Sequence, residues 1–156
     1  MRFGILGDAK ISRKQIVPAM QENGFSLVHL GTREPKRPKS LEHYGFSKIG
    51  RYDDVLSNPE VEAVYIPLPN HLHAEWSIKA LNAGKHVLCE KPMALTLSEI
   101  DAVEKEPNLS NCYLKEAFMI RSHPQWEWLK QIEIGDALHV SAIFSYPPRP
   151  DGDIRN

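Results

Sequence analysis

The hydrophobic residues of this chain fall into short runs that are separated by segments with helical periodicity. The runs predict strands at residues 3–6, 26–31, 63–67, 86–89 and 112–115, with a weaker one near Ile49. Strands that alternate with helical segments are typical of βαβ units. The pattern therefore predicts an α/β fold built on a doubly wound parallel sheet.

Two of the predicted helices carry local signals. The clearest spans residues 70–82, where Asn70 is a candidate cap and Gly84 follows the last apolar position. The helix after the first strand contains Pro18, which lacks a backbone N–H. We therefore predict that this helix is kinked or restarts at the proline.

A turn of small residues follows the first strand. Against the dinucleotide-binding pattern G-x-G-x-x-G, Gly7 takes the first position, Ala9 the second and Ser12 the third. The first position needs a tight turn, the second a small side chain beside the pyrophosphate, and the third close packing of helix on strand. The segment fits a dinucleotide-binding turn, although an ordinary buried strand and turn would look similar.

Length and charge limit the partners. The chain has 156 residues and a formal charge of −1, which suits one domain of normal size and gives no reason to expect nucleic acid or an anionic membrane. It has no signal-peptide pattern and no apolar run near the roughly 18 residues of a membrane helix, so we expect a cytoplasmic protein. Cys89 and Cys112 lie in apolar segments and are expected to be reduced, buried thiols.

The tripeptide Glu90-Lys91-Pro92 ends an apolar run. A buried parallel strand should open into a loop there, at the sheet edge where ligands bind in open α/β folds. Lysine is a convertible proton donor, although a solvated Glu–Lys pair is the commoner interpretation of such residues. The Lys91-Pro92 bond can also be cis, which would redirect the lysine.

Longer segments carry a family resemblance. Residues 64–73, Val-Tyr-Ile-Pro-Leu-Pro-Asn-His-Leu-His, and residues 83–92, Ala-Gly-Lys-His-Val-Leu-Cys-Glu-Lys-Pro, resemble the Gfo/Idh/MocA family of NAD(P)-dependent oxidoreductases. This family includes glucose-fructose oxidoreductase, inositol dehydrogenase, and xylose and dihydrodiol dehydrogenases. Residues 116–124 resemble the exit from the family's sixth strand. With the glycine turn included, the resemblance extends over nearly the whole chain.

The resemblance implies a Rossmann domain over residues 1–120. It places the cofactor phosphates on the glycine turn, Asn70 and His73 beside the nicotinamide, and Lys91 between the nicotinamide and the substrate oxygen as the catalytic proton donor or acceptor. From the residues alone, Asn70 as a helix cap and His73 as a solvated histidine remain alternatives. No metal ligand is implied. The cofactor positions are Gly7, Asp8, Ala9, Lys10, Ile11, Thr32, Arg33, Arg37, Pro67, Leu68, Asn70, His73, Glu90, Lys91 and Glu116.

The end of the second strand bears on the choice of cofactor. NAD enzymes place an acidic residue there for the ribose hydroxyls. Here Thr32 and Arg33 resemble the Ser-Arg pair of NADP-using family members, in which the guanidinium pairs with the 2′-phosphate. We therefore favour NADP, whereas NAD is favoured if the Glu34 carboxylate faces the ribose. The basic residues that follow add positive field or form a solvated loop: Lys36, Arg37 and Lys39.

The resemblance also implies a missing segment. Family members continue for about as many residues again, as an α/β substrate and dimerisation domain that supplies partners for the lysine. Residues 121–156 would form only the truncated start of that domain, a helix at 124–134 and a strand at 137–146. A lone apolar strand leaves an unpaired edge, so it must pair with another chain, fold back or aggregate; of these we expect a homo-oligomer.

Two functions of different class follow. The first is an NAD(P)-dependent oxidoreductase that transfers a hydride between the nicotinamide and a sugar, polyol or related carbonyl or hydroxyl substrate, with turnover impaired by truncation. The alternative is a non-catalytic dinucleotide-binding or interaction module that dimerises through its orphan strand. A Rossmann-like methyltransferase is disfavoured by the Glu-Lys-Pro element and the basic pair after the second strand.

Overall fold

The computed structural model describes residues 1–35, 44–143 and 145. The chain divides into two compact units, Met1–Ala117 and Phe118–Asn156, and each is described by itself. The assignment of residues 1–120 to a cofactor domain and of 121–156 to a second domain remains a prediction.

The first unit is built on a sheet of six parallel strands in the order β3-β2-β1-β4-β5-β6. The order reverses between β1 and β4, as in the doubly wound Rossmann fold, so the predicted fold class is confirmed. The strands are β1 Arg2–Leu6, β2 Ser26–Gly31, β3 Lys48–Gly50, β4 Ala63–Ile66, β5 His86–Cys89 and β6 Leu114–Glu116.

The first helix restarts before its proline. A π-helical turn at Ser12–Ile16 is followed by α1 at Val17–Glu22, with Pro18 in the first turn of α1. Because Pro18 cannot donate to the carbonyl four residues earlier, the wider turn accommodates it where a continuous α-helix would not. The predicted restart is confirmed.

The remaining helices of this unit are α2 Tyr52–Ser57, α3 His73–Asn82 and α4 Leu97–Glu104, with 3-10 turns at Asn70–Leu72 and Pro107–Ser110. The prediction that Asn70 caps the third helix was wrong. The Leu72 amide bonds the Pro69 carbonyl at 2.9 Å and closes the 3-10 turn, so α3 begins only at His73.

Apolar side chains cover both faces of the sheet, as expected for parallel strands that are buried on both sides. On one face, residues such as Leu6, Val64 and Ile66 form a cluster that includes Trp76 of α3. On the opposite face, Tyr65 lies in a second cluster with residues of β1, β2 and α1. The sheet therefore lies between two layers of helices, and this packing fixes the positions of its strand ends.

The second unit contains a 3-10 turn at Met119–Ser122 and α5 at Gln125–Leu129, so the helix predicted at 124–134 is shorter than expected. The strand predicted at 137–146 does not form in its described part, residues 137–143 and 145. A strand needs a hydrogen-bonded neighbour, and the described residues supply none to this segment. Among the described residues, no helix combines the length and apolar character needed to cross a bilayer.

Candidate cofactor-binding site

The carboxyl ends of the central strands meet at one edge of the sheet. The strand registers pair Ile66 with Cys89 and Cys89 with Glu116, so β4, β5 and β6 end at the same level. The loops that follow β1, β2, β4 and β5 therefore leave the sheet at this edge, where open α/β folds bind ligands. These loops, the helical turns that directly follow them and the end of β6 carry the predicted residues Gly7, Asp8, Ala9, Lys10, Ile11, Thr32, Arg33, Pro67, Leu68, Asn70, His73, Glu90, Lys91 and Glu116.

The glycine turn after β1 has a conformation that needs glycine. Gly7 has a φ of +114°, and a Cβ there would lie 3.0 Å from Leu68 Cδ2 in the loop after β4. Arg13 fixes the same turn, because its guanidinium contacts the Asp8 carboxylate at 2.7 Å and donates to the Asp8 carbonyl at 3.0 Å. The hydroxyl of Ser12 is buried and has no hydrogen-bond partner among the described residues. A tight turn, a helix start and an unused buried hydroxyl fit the phosphate end of a dinucleotide.

The end of β2 is anchored through its backbone. The Thr32 amide donates to the Gly50 carbonyl at 2.9 Å, and the Thr32 hydroxyl accepts the Glu34 amide at 3.1 Å. Arg33 and Glu34 are both exposed, so both side chains are open to a ligand. Burial raises the pKa of Tyr52, and the nearby positive charge of Arg33 opposes that rise. Arg37, Lys36 and Lys39 lie outside the described residues.

Tyr65 links the ends of β4 and β5. Its side chain is fully buried, and its hydroxyl donates to Glu90 Oε1 at 2.7 Å. Burial, followed by the bond to Glu90 and the charge of that carboxylate, raises the pKa of Tyr65 far above its ordinary value. The hydroxyl therefore stays protonated and fixes the orientation of Glu90. We did not single out Tyr65 from the sequence, although a hydroxyl within the aliphatic strand Ala63–Ile66 was the available signal.

The loop after β5 contains a cis peptide bond between Lys91 and Pro92, the geometry that the sequence analysis allowed for. The Lys91 side chain is exposed, and its ammonium group forms no hydrogen bond or ion pair with the described residues. The loop itself is held, because the Met93 amide donates to Glu116 Oε1 at 2.9 Å. A lysine with a free ammonium thus projects from a fixed loop, an arrangement that can give a proton to a bound oxygen or take one from it.

His73 and Asn70 differ in how the fold uses them. The His73 ring is 1% exposed, and its two nitrogens lie 2.7 Å from the Leu68 carbonyl and 2.6 Å from the Pro92 carbonyl. Neither ring nitrogen is left for a ligand in this arrangement. The Asn70 side chain is exposed and forms no hydrogen bond with the described residues, so its amide is open to one.

The cysteines are free thiols, as expected. Cys89 is buried, and burial raises its pKa to about 12, so its thiol is unreactive near neutral pH. Cys112 is only partly buried, so the expectation of a buried thiol was wrong for this residue. No group of three potential metal-binding side chains occurs among the residues that the structure describes.

The family model of the Gfo/Idh/MocA oxidoreductases, a family with an NAD-binding Rossmann fold, matches residues 1–116. The chain belongs to this family. The resemblance noted in the motifs is therefore confirmed over the whole of the parallel sheet.

Known members of the family match most of this chain, but each match covers only about half of the relative's own length. An uncharacterized oxidoreductase of Rhizobium meliloti is 41% identical in an alignment of length 152, and the alignment covers 93% of this chain and 46% of that protein. A D-xylose 1-dehydrogenase (NADP⁺) of Haloferax volcanii is 38% identical in an alignment of length 162, which covers 99% of this chain and 50% of that protein. The chain thus spans about half the length of the curated relatives it matches.

A solved structure also matches nearly the whole of this chain and about half of its own. A single-residue variant of a 3-ketoreductase from Actinomadura kijaniata, in complex with TDP-benzene and NADP, superposes with a TM-score of 0.89. The two are 35% identical, and the match covers 99% of this chain and 50% of the ketoreductase.

Proposed function

We propose that this chain is the NAD(P)-binding part of an oxidoreductase that transfers a hydride between the nicotinamide and a sugar, polyol or related carbonyl or hydroxyl substrate. The observation that carries the proposal is Lys91, whose ammonium has no partner in the described chain and projects from a loop fixed at the ligand-binding edge. The names of the xylose dehydrogenase and the 3-ketoreductase support a sugar as the substrate class.

Each part of the proposed site has a separate task. The backbone of residues 7–12 binds the pyrophosphate, and the Asn70 amide binds on the nicotinamide side. Lys91 Nζ donates a proton to the substrate oxygen on reduction and accepts it on oxidation. The bound nicotinamide supplies or accepts the hydride. Because the Lys91 side chain is exposed, the substrate and residues from elsewhere must exclude water around it.

We propose NADP as the preferred cofactor. Arg33 stands at the end of β2 with its guanidinium exposed, and such a group can pair with a 2′-phosphate in fork geometry. Glu34 is equally exposed, and NAD would be preferred if its carboxylate bound the ribose hydroxyls.

The proposed organisation is a cofactor domain of residues 1–120 and the start of a substrate and dimerisation domain at 121–156. Leu138, Val140 and Ile143 are largely exposed, which supports burial of this segment against further protein in a homo-oligomer. The same observation favours the second candidate function, a dinucleotide-binding module without turnover.

One experiment separates the two candidates. NADPH and NADH affinities are measured by calorimetry, and turnover is measured with a panel of aldoses and dicarbonyl sugars, for the wild-type chain and Lys91→Ala. The oxidoreductase proposal predicts turnover that is lost in Lys91→Ala while NADPH affinity is retained. Binding without turnover across the panel supports the module, and no binding of either dinucleotide contradicts both.

A further inference from the structure

His73 connects two loops of the candidate site through both of its ring nitrogens. Nε2 lies 2.7 Å from the carbonyl oxygen of Leu68, in the loop after β4, and Nδ1 lies 2.6 Å from the carbonyl oxygen of Pro92, in the loop after β5. We call this arrangement the His73 bridge. The ring is 1% exposed, so water does not take the place of either partner.

The chemistry of the two partners limits the protonation of the ring. A backbone carbonyl oxygen only accepts hydrogen bonds, whereas a neutral imidazole has one N–H and one unprotonated nitrogen. In the neutral form, one ring nitrogen would direct a lone pair at an oxygen less than 3 Å away. Only the imidazolium, with an N–H at each nitrogen, satisfies both contacts.

We propose that His73 is an imidazolium whose two N–H groups hold the loops after β4 and β5 together, and that it acts as a positioning residue for Lys91. Two features oppose the charge, namely burial and the positive end of α3, of which His73 is the first residue. The proposal therefore requires that the two carbonyl dipoles, which face the ring from opposite loops, offset these effects.

Charged side chains on the neighbouring elements have other partners or are exposed. Glu75 and Lys79 of α3 pair with each other at 2.6 Å, and Glu90 accepts the hydroxyl of Tyr65. Glu116 accepts the Met93 amide, and Lys91 is exposed. Among the described residues, the polar contacts of the ring are thus to the two carbonyl groups alone, and the bridge depends on the protonation state of the ring.

The bridge lies between the two ends of the proposed cofactor site. The bridge holds Leu68 on one side. Leu68 also packs closely over Gly7, since a Cβ added to that glycine would lie only 3.0 Å from Leu68 Cδ2. Pro92, which it holds on the other side, is joined to Lys91 through the cis bond. His73 therefore sets the spacing between the phosphate-binding turn and the lysine loop without touching the cofactor itself. The positioning role rests on the proposed function, whereas the proposed protonation state of His73 does not depend on it.

The protonation state is tested on the wild-type chain by NMR of protein labelled with ¹⁵N in the histidine rings. Comparison of spectra with and without a His73→Asn substitution assigns the ring among the seven histidines. We expect two N–H signals from His73 at neutral pH, both slow to exchange with water. One N–H signal together with one unprotonated nitrogen would show a neutral ring and overturn the proposal.

The positioning role is tested by NADPH titration of His73→Asn beside a matched control, His71→Asn. His71 lies two residues earlier and is exposed. Loss of a buried, charge-assisted bond predicts an NADPH affinity about tenfold or more weaker for His73→Asn and unchanged for the control. Equal affinities in a wild type that binds NADPH would refute the positioning role, and failure of the wild type to bind would refute the proposed function instead. If His73→Asn does not fold, His73→Gln replaces it both in the NADPH titration and in the NMR assignment of the ring.

Discussion

Replacing Tyr65 with phenylalanine tests the link between β4 and the lysine loop. The change removes one hydroxyl from a fully buried ring and leaves the ring's packing in place. Glu90 Oε1 then loses a donor that lies 2.7 Å away. Loss of a hydrogen bond to a charged group costs about 1–3 kcal/mol of unfolding free energy. Glu90 is only partly buried, so water can reach its carboxylate, and we expect the lower half of that range.

The assay is urea unfolding followed by circular dichroism, with NADPH titration on the same samples. Tyr113→Phe is the matched control, because that side chain is 79% exposed and should change stability by less than about 0.5 kcal/mol. We expect Tyr65→Phe to lose roughly 1–2 kcal/mol and to weaken NADPH binding, since Glu90 adjoins Lys91.

A double-mutant cycle isolates the contact itself. In a Glu90→Ala background, Tyr65→Phe should lose little further stability, because the acceptor of the hydroxyl is already gone. An equal loss in both backgrounds, or a Tyr65→Phe variant as stable as Tyr113→Phe, would show that the hydroxyl does not stabilise the fold through Glu90.

Three further predictions concern the cofactor, the core and pH. Arg33→Ala should weaken NADP binding roughly tenfold or more and NAD binding little, by calorimetry, and equal losses would reject the assignment of Arg33 to the 2′-phosphate. The Lys85 ammonium donates to the Asn58 and Val61 carbonyls at 2.9 and 2.8 Å, so Lys85→Met should lower the unfolding free energy by about 1–3 kcal/mol. An unchanged midpoint of urea unfolding would contradict this prediction. Burial lowers the pKa of His29, so the unfolded chain binds more protons than the folded one, and the unfolding free energy should fall as pH drops below about 6.5, by less in His29→Gln. An unfolding free energy that rises as pH drops through this range would contradict the prediction.

Much of the sheet could be predicted because its strands are buried on both faces. The predicted bounds 26–31 and 86–89 coincide with β2 and β5, where continuous apolar runs end at polar or glycine residues. The restart near Pro18 was also predictable, since proline lacks the N–H that a continuous helix needs.

Other features depend on contacts that no local pattern contains. The bond between Tyr65 and Glu90 joins residues 25 positions apart, and the contact of His73 with Pro92 joins residues 19 apart. Neither could be deduced before the strands were placed side by side. Asn70 was predicted as a cap because its residue type suits one, but the Pro69 carbonyl closes a 3-10 turn there instead.

The predicted strand at 137–146 shows a different limit. Its alternation of apolar and polar residues suits a sheet, but a strand exists only beside a partner, and the described residues provide none. Sequence periodicity thus indicated which side chains need burial without indicating what covers them.

We propose that the edge of this sheet binds a nicotinamide dinucleotide with its redox ring beside Lys91, and a crystal structure of the chain grown with NADP⁺ would show whether it does. We expect density for the pyrophosphate over residues 7–12 and for the nicotinamide within contact distance of Lys91 Nζ. A dinucleotide bound elsewhere, or crystals without one at saturating NADP⁺, would contradict it.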